Sequence, residues 1–297
     1  MNKKPCSALP YEFEVHMTPP NRKLLWVGDI HQTAEFCHAV DSMSGDLEIQ
    51  HCPTVDDALN ATTSNTPEPT IICLAETHPG QIHFHDVFRL TQHWPLSRII
   101  SVGSCLSDGR RRSGPVVDGI LEVPWHELPS RMKVWLQRID SGAFSSLTSP
   151  PTLRRDERWL AEAMETQPFH ETSDQATRAT VTVAASSQTM AEAVGELITV
   201  AGGLLVHCVT GKPPIQDTAE VIIWDLQDSP ESQLEWIRLL TSQNPNLTLA
   251  LLCSFPRSDT AHAAIEAGAT AVLGRPTDCE AIRGVLLMAK TALLASS

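Results

Sequence analysis

The sequence predicts an α/β protein made of two doubly wound parallel-sheet domains joined by a helical linker. Two observations carry this expectation. Runs such as Thr70 to Leu74 and Val221 to Leu226 are apolar and too short for helices, as strands buried on both faces must be. Such runs alternate with helical segments through both halves of the chain, so the second half repeats the plan of the first. The expected units are an N-terminal extension over 1–22, a domain over 23–139, a linker over 140–178 and a second domain over 179–297.

In the first domain, Lys23 to Val27 reads as a strand closing at Gly28-Asp29, followed by a helix over Thr33 to Met43 and a strand over Leu47 to His51. Thr54 is the N-cap candidate of a helix reaching Ala61, with Asp56 and Asp57 in its first turn. After a Ser/Thr/Pro loop come a strand at Thr70, a helix over His85 to His93 and a strand over Arg98 to Val102. Gly103 to Pro115 is too polar for a packing helix. It leads to a last strand over Val116 to Val123 and a closing helix over Pro129 to Ile139. The linker turns to Ser, Thr, Pro and charge, but Leu153, Trp159, Leu160 and Met164 are spaced as on a helix over 153–164.

The second domain begins with a strand over Thr180 to Ala184, a helix over Thr189 to Ala201 and a strand over Leu204 to Val209. Val221 to Leu226 is its central apolar strand, followed by a helix over Ser232 to Gln243 and a strand over Leu247 to Cys253. A helix over Ser258 to Ala267, broken by Gly268, a short strand over Ala271 to Leu273 and a helix over Cys279 to Leu294 complete it. In an open parallel sheet, ligands and chemistry gather at the carboxyl ends of the strands, which makes Asp225 the first residue to question.

A formal charge of -13 argues against a broad nucleic-acid surface, since phosphate neutralisation needs clustered Lys and Arg. Arg110 to Arg112 is the one basic run and reads as a solvated loop. The eight cysteines lie mostly in apolar stretches with no Cys-x-x-Cys pair, a pattern of buried thiols in a reducing cytoplasm. No stretch approaches the length of a membrane span or a signal-peptide core, so a cytosolic protein with no membrane partner is expected.

The run Ile265-Glu266-Ala267-Gly268-Ala269-Thr270-Ala271-Val272-Leu273-Gly274-Arg275-Pro276 resembles the L-E-A-G-A-D-D-Y-L-T-K-P stretch of response regulator receiver domains, the CheY-like form of the flavodoxin-like fold. The resemblance extends over Ala179 to Leu294. A weaker one, through Val117-Asp118-Gly119-Ile120-Leu121-Glu122-Val123-Pro124, covers Lys23 to Ile139.

Receivers accept a phosphoryl group on an aspartate that, with two neighbouring carboxylates, holds magnesium; a Thr or Ser, a Lys and an aromatic residue report on it. The resemblance puts the acceptor of the second domain on Asp225, the acidic pair on Ala185 and Ser186, and the Thr/Ser on Cys253 with Ser254 beside it. The aromatic falls on Val272 and the Lys on Arg275, so one carboxylate of three is left. Arg275 is expected to pair with Asp225. In the first domain the acceptor falls on Ala75 with Glu76 beside it, and the acidic pair on Gly28 and Asp29. The Thr/Ser position is Gly103 or Ser104, the aromatic Ile120 and the Lys Val123. The implied cofactor is none, since a single side-chain carboxylate seldom holds magnesium.

Two readings of Asp225 stay open: a phosphoacceptor, or a vestigial acid in a solvent-exposed turn. Asp29-Ile30-His31-Gln32-Thr33-Ala34 is also similar to the cobalamin-binding D-x-H-x-x-G, with Ala34 in place of the glycine. His78, His83 and His85 with Cys73 nearby suggest zinc only loosely, because Pro79-Gly80 marks a loop. Gly202-Gly203 and Gly211-Lys212 read as turns, and Ser186-Ser187 has no readable base.

The expectation is thus a non-enzymatic signalling or scaffolding protein of pseudo-receiver domains acting through protein-protein contacts. The implied partners are histidine kinases, phosphotransfer proteins, other receivers or a second copy, and the sequence ends too soon after the last helix for an output domain. A residual phosphorelay regulator phosphorylated on Asp225 is the alternative.

Overall fold

The computed structural model describes residues 22–31, 33–61, 68–107, 117, 119–141, 147, 157, 178–227 and 230–296, the last six of these as backbone only. The first half comprises β1 Lys23–Val27, α1 Ala34–Asp41, β2 Glu48–Cys52, α2 Val55–Asn60, β3 Ile71–Glu76, α3 Phe84–His93, β4 Arg98–Gly103, β5 Leu121–Pro124 and α4 Leu128–Ser141. The second comprises β6 Thr180–Ala185, α5 Gln188–Ala201, β7 Leu204–Thr210, β8 Val221–Asp225, α6 Leu234–Gln243, β9 Thr248–Cys253, α7 Ser258–Glu266, β10 Ala271–Gly274 and α8 Cys279–Ser296, with a 3₁₀ turn at Pro230–Gln233. The linker helix expected over 153–164 lies, apart from Glu157, outside the described residues, as do Trp159 and Arg110 to Arg112.

Every strand pair is parallel, and both sheets have the same order, β2-β1-β3-β4-β5 and β7-β6-β8-β9-β10. This is the flavodoxin-like arrangement, in which the strand order reverses beside the first strand of each sheet. The apolar runs behave as fully covered strands must: β3, β8 and β9 are buried at every position. Helix starts follow local chemistry. Thr54 accepts the Asp57 N–H at the start of α2, and Ser187 accepts the Met190 N–H at the start of α5. Gly202, at φ 97°, ends α5 in the left-handed region.

The fifth strand of the first half is shorter than expected. Gly119 adopts φ 86° in a turn before it, and the ladder with β4 begins only at Leu121.

The halves pack on each other. One apolar cluster runs from Trp26, Phe36 and Trp125 into Trp224, Leu251 and Val272. Helix α4 lies so close to α8 that a Cβ on Gly284 would fall 2.1 Å from the Ser130 carbonyl oxygen. The free edge of β10 is capped by the other half, His126 Nδ1 meeting the Val272 carbonyl oxygen at 3.1 Å and Glu127 Oε1 accepting the Gly274 N–H at 3.3 Å.

Candidate functional site

The crevice at the reversal point of the second sheet is walled by the carboxyl ends of β6 and β8, so Ala185, Ser186 and Asp225 meet there. Asp225 closes the apolar run of β8. Its side chain is 0% exposed, and the Leu226 N–H continues the ladder to the Leu252 carbonyl oxygen. The expected solvent-exposed turn is therefore corrected: pairing with β9 carries the strand to its acid and keeps it inside the sheet.

The arginine after β10 reaches that acid. The Arg275 N–H donates to the Cys253 carbonyl oxygen at 2.9 Å, which fixes the backbone beside β9. Nη1 then lies 3.1 Å from Asp225 Oδ1, while Nη2 donates to the Leu226 carbonyl oxygen. Burial raises the Asp225 carboxyl above its usual range, and Arg275 opposes that shift. The Cys253 thiol is pushed up to about 12, by burial against Arg275 and with Asp225 adding to the rise. Such a thiol is inert at neutral pH. Ser254 is exposed, next to Phe255, whose φ of 53° is the one positive value of a non-glycine among the described residues.

This donor set does not fit magnesium. Ala185 offers no side-chain oxygen, Ser186 a neutral hydroxyl at most, and the remaining carboxylate already faces a guanidinium that would repel the ion.

The first sheet holds the equivalent crevice in the same register. Leu24 pairs with Ile71 as Val181 pairs with Val221, so Ala75 stands where Asp225 does, and Gly28 and Asp29 where Ala185 and Ser186 do. The ladder corrects two assignments. Gly103 pairs with Pro124 as Cys253 pairs with Gly274, and the Trp125 N–H donates to Gly103 as that of Arg275 does to Cys253. Trp125, not Val123, thus occupies the place of Arg275, and Glu122, not Ile120, that of Val272. Val123 lies within the ladder opposite Val102. Matching the two prolines misled the alignment, because strand register follows backbone pairing.

The remaining polar groups of this crevice are turned to structural work. Asp29 Oδ1 accepts the His31 N–H and Oδ2 the Thr33 hydroxyl, both at 3.0 Å, at the entry to α1. Glu76, 1% exposed, accepts the Gly80 N–H at 3.0 Å and the Ser101 hydroxyl at 3.4 Å. Ser104 donates to the Thr77 carbonyl oxygen at 2.7 Å. The His31 ring is exposed and lies edge-on to His51, the centroids 5.9 Å apart. His83 caps α3 and His85 lies within it, His78 Nδ1 is 3.0 Å from the Thr77 hydroxyl oxygen, and Cys73 is buried in β3. No three His, Cys, Asp or Glu side chains are placed to share a metal ion among the described residues.

Sequence reasoning missed the contact between the halves. Arg131, on the face of α4 turned to α8, reaches Asp278 at 2.6 Å, Glu127 at 2.9 Å and Glu280 at 3.1 Å. Burial lowers its guanidinium's proton affinity, but the three carboxylates more than offset this and hold it well above the usual range. An arginine amid the apolar positions of an expected helix was the available signal, with acids flanking Cys279 as its complement.

No protein-family model matches the chain, and no curated protein does. Solved structures similar to it include response regulator receiver domains. A response regulator from Burkholderia pseudomallei is 20% identical over 40% of this chain and 72% of its own, with a TM-score of 0.33. A receiver domain protein from Clostridium thermocellum is 16% identical over 40% of this chain and 99% of its own, with a TM-score of 0.34. A putative pilus assembly protein from Burkholderia thailandensis is 23% identical over 38% of this chain and 98% of its own, with a TM-score of 0.34. Among the described residues no helix is long and apolar enough to cross a membrane.

Proposed function

We propose that the chain is a non-enzymatic member of a two-component-type signalling system, a tandem pseudo-receiver that works by protein-protein contact in the cytoplasm. One observation carries this reading: the acid in the acceptor position is buried against Arg275, with Ala185 and Ser186 where metal-binding carboxylates would stand. A phosphoryl group there would replace the carboxylate's single charge with about -2 in a pocket with one cation and no fitting metal site. Partners that recognise receivers, such as histidine kinases, phosphotransfer proteins or other receivers, fit this role, and no cofactor is required.

Incubation of the full chain with acetyl phosphate and magnesium, followed by intact mass and size exclusion, tests the reading. The expected mass is unchanged, where one phosphoryl group would add roughly 80 Da. A gain that vanishes in Asp225→Ala and changes the oligomeric state supports a residual phosphorelay regulator instead.

A further inference from the structure

The seam between the halves holds a cavity of about 350 Å³, walled by α1 and α4 from the first half and by α7, β10 and α8 from the second. That volume falls within the range of small-ligand sites, roughly 300–1,000 Å³. The packing beside it is tight, because Ser130, which lines the cavity, also carries the carbonyl oxygen that leaves no room for a Cβ on Gly284. The site draws on Thr270 to Val272 rather than on the carboxyl end of β10 at Gly274, so it is separate from the crevice of Asp225 and does not depend on what happens there.

Much of the wall is apolar, built from Pro129, Ile265, Val272 and Met288, and the His38 ring joins them. Burial lowers the proton affinity of His38, with His262 adding to the fall and Asp41 opposing it, so at neutral pH the ring is uncharged. The polar groups of the wall are mostly spent on backbone. The Ser42 hydroxyl donates to the His38 carbonyl oxygen at 2.8 Å, and that of Ser130 to the Glu127 carbonyl oxygen at 2.9 Å. His126 Nδ1 lies 3.1 Å from the Val272 carbonyl oxygen, which can only accept, so its hydrogen is committed too.

Lys133 is the exception. An ammonium has three N–H donors, and Asp46 takes one of them at 2.5 Å. The lysine side chain is 23% exposed, so an anion meeting it inside the seam is only partly screened by water. Met288 and His38 add a thioether and an imidazole, surfaces on which an aromatic ring packs well. We propose that this cavity binds a small aromatic carboxylate, its ring against His38, Val272 and Met288 and its acid on Lys133. Asp46 competes for the same ammonium, which holds the affinity down and gives the proposal a sign that can be tested.

Methyl spectra of the full chain carrying ¹³C-methyl methionine, titrated with naphthoate, provide the test. The Met288 signal, identified by its loss in Met288→Leu, should shift saturably. Naphthylmethanol, which has the same rings and no charge, should bind ~tenfold more weakly. Lys133→Met, which keeps the length of the side chain, should bring the acid down to the affinity of the alcohol and leave the alcohol unchanged. Asp46→Asn should tighten the acid alone. A Met288 signal that moves with neither probe at millimolar concentration overturns the proposal. So does a wild type that binds the alcohol as tightly as the acid, or a Lys133→Met variant that binds naphthoate as well as the wild type does.

Discussion

The second sheet carries an acid at the end of its central strand, Asp225, and closes it with Arg275; the first offers Ala75 and Trp125 in the same ladder positions. In the second, the positive group after β10 turns inward to the buried carboxylate. In the first, with Ala75 in place of that carboxylate, the equivalent residue is an indole that is fully buried and stacks on His262 of the other half. The two partner positions thus do different work, a local ion pair where the acid is present and a contact between halves where it is not.

Removing the cation tests the second crevice most severely. Arg275→Met leaves Asp225, with its side chain 0% exposed, facing no charge. Breaking a buried pair from one side costs about 3 kcal/mol, because the remaining group is stranded out of water. We expect that loss in the urea unfolding free energy at pH 7, largely recovered when Asp225→Asn is added. A loss of the same size in the double variant would mean that Arg275 acts through its bond to the Leu226 carbonyl rather than through Asp225.

The first crevice breaks at its backbone. Gly28 has φ 111°, and a Cβ there would lie 2.8 Å from Ala75 Cβ, whereas the second sheet accepts Ala185 in the same place. Gly28→Ala combines the left-handed penalty with overpacking, about 2 kcal/mol in sum. Adding Ala75→Gly should recover the overpacking part alone, as read by thermal unfolding of the double variant. Ala185→Gly should cost no more than about 1 kcal/mol, the entropic cost of an extra glycine.

The strands and most helices were legible because burial on both faces leaves an unmistakable apolar run, as in β3, β8 and β9. So was the pairing of Arg275 with Asp225, since the receiver-like motif places both at strand ends. Two features were less accessible. The burial of Asp225 depends on how far β9 continues the ladder, which a turn-rich following segment conceals. The place of Trp125 depends on register, and a one-dimensional match of Pro124 to Pro276 slips the first half by two residues. The Arg131 cluster joins residues some 150 apart in sequence, beyond the reach of any local periodicity.

The finest distinction lies at the acceptor position, where Asp225 can ionise and Ala75 cannot. Burial raises the Asp225 carboxyl against the pull of Arg275, so the native state holds that proton more tightly than the unfolded chain, whose aspartate midpoint is about 3.9. The stabilising contribution of such a group is fully present below that value and is lost as pH rises through the native one. At pH 7 the charged carboxylate therefore weighs on the second domain, even with Arg275 beside it. Asp225→Asn should raise the urea midpoint slightly at pH 7, and the gap from the wild type should shrink as pH falls toward 4. Ala75, which cannot titrate, gives the equivalent position of the first sheet no such dependence. A variant less stable than the wild type by the same margin at both pH values would instead show that the ion pair with Arg275 outweighs the cost of burying the charge.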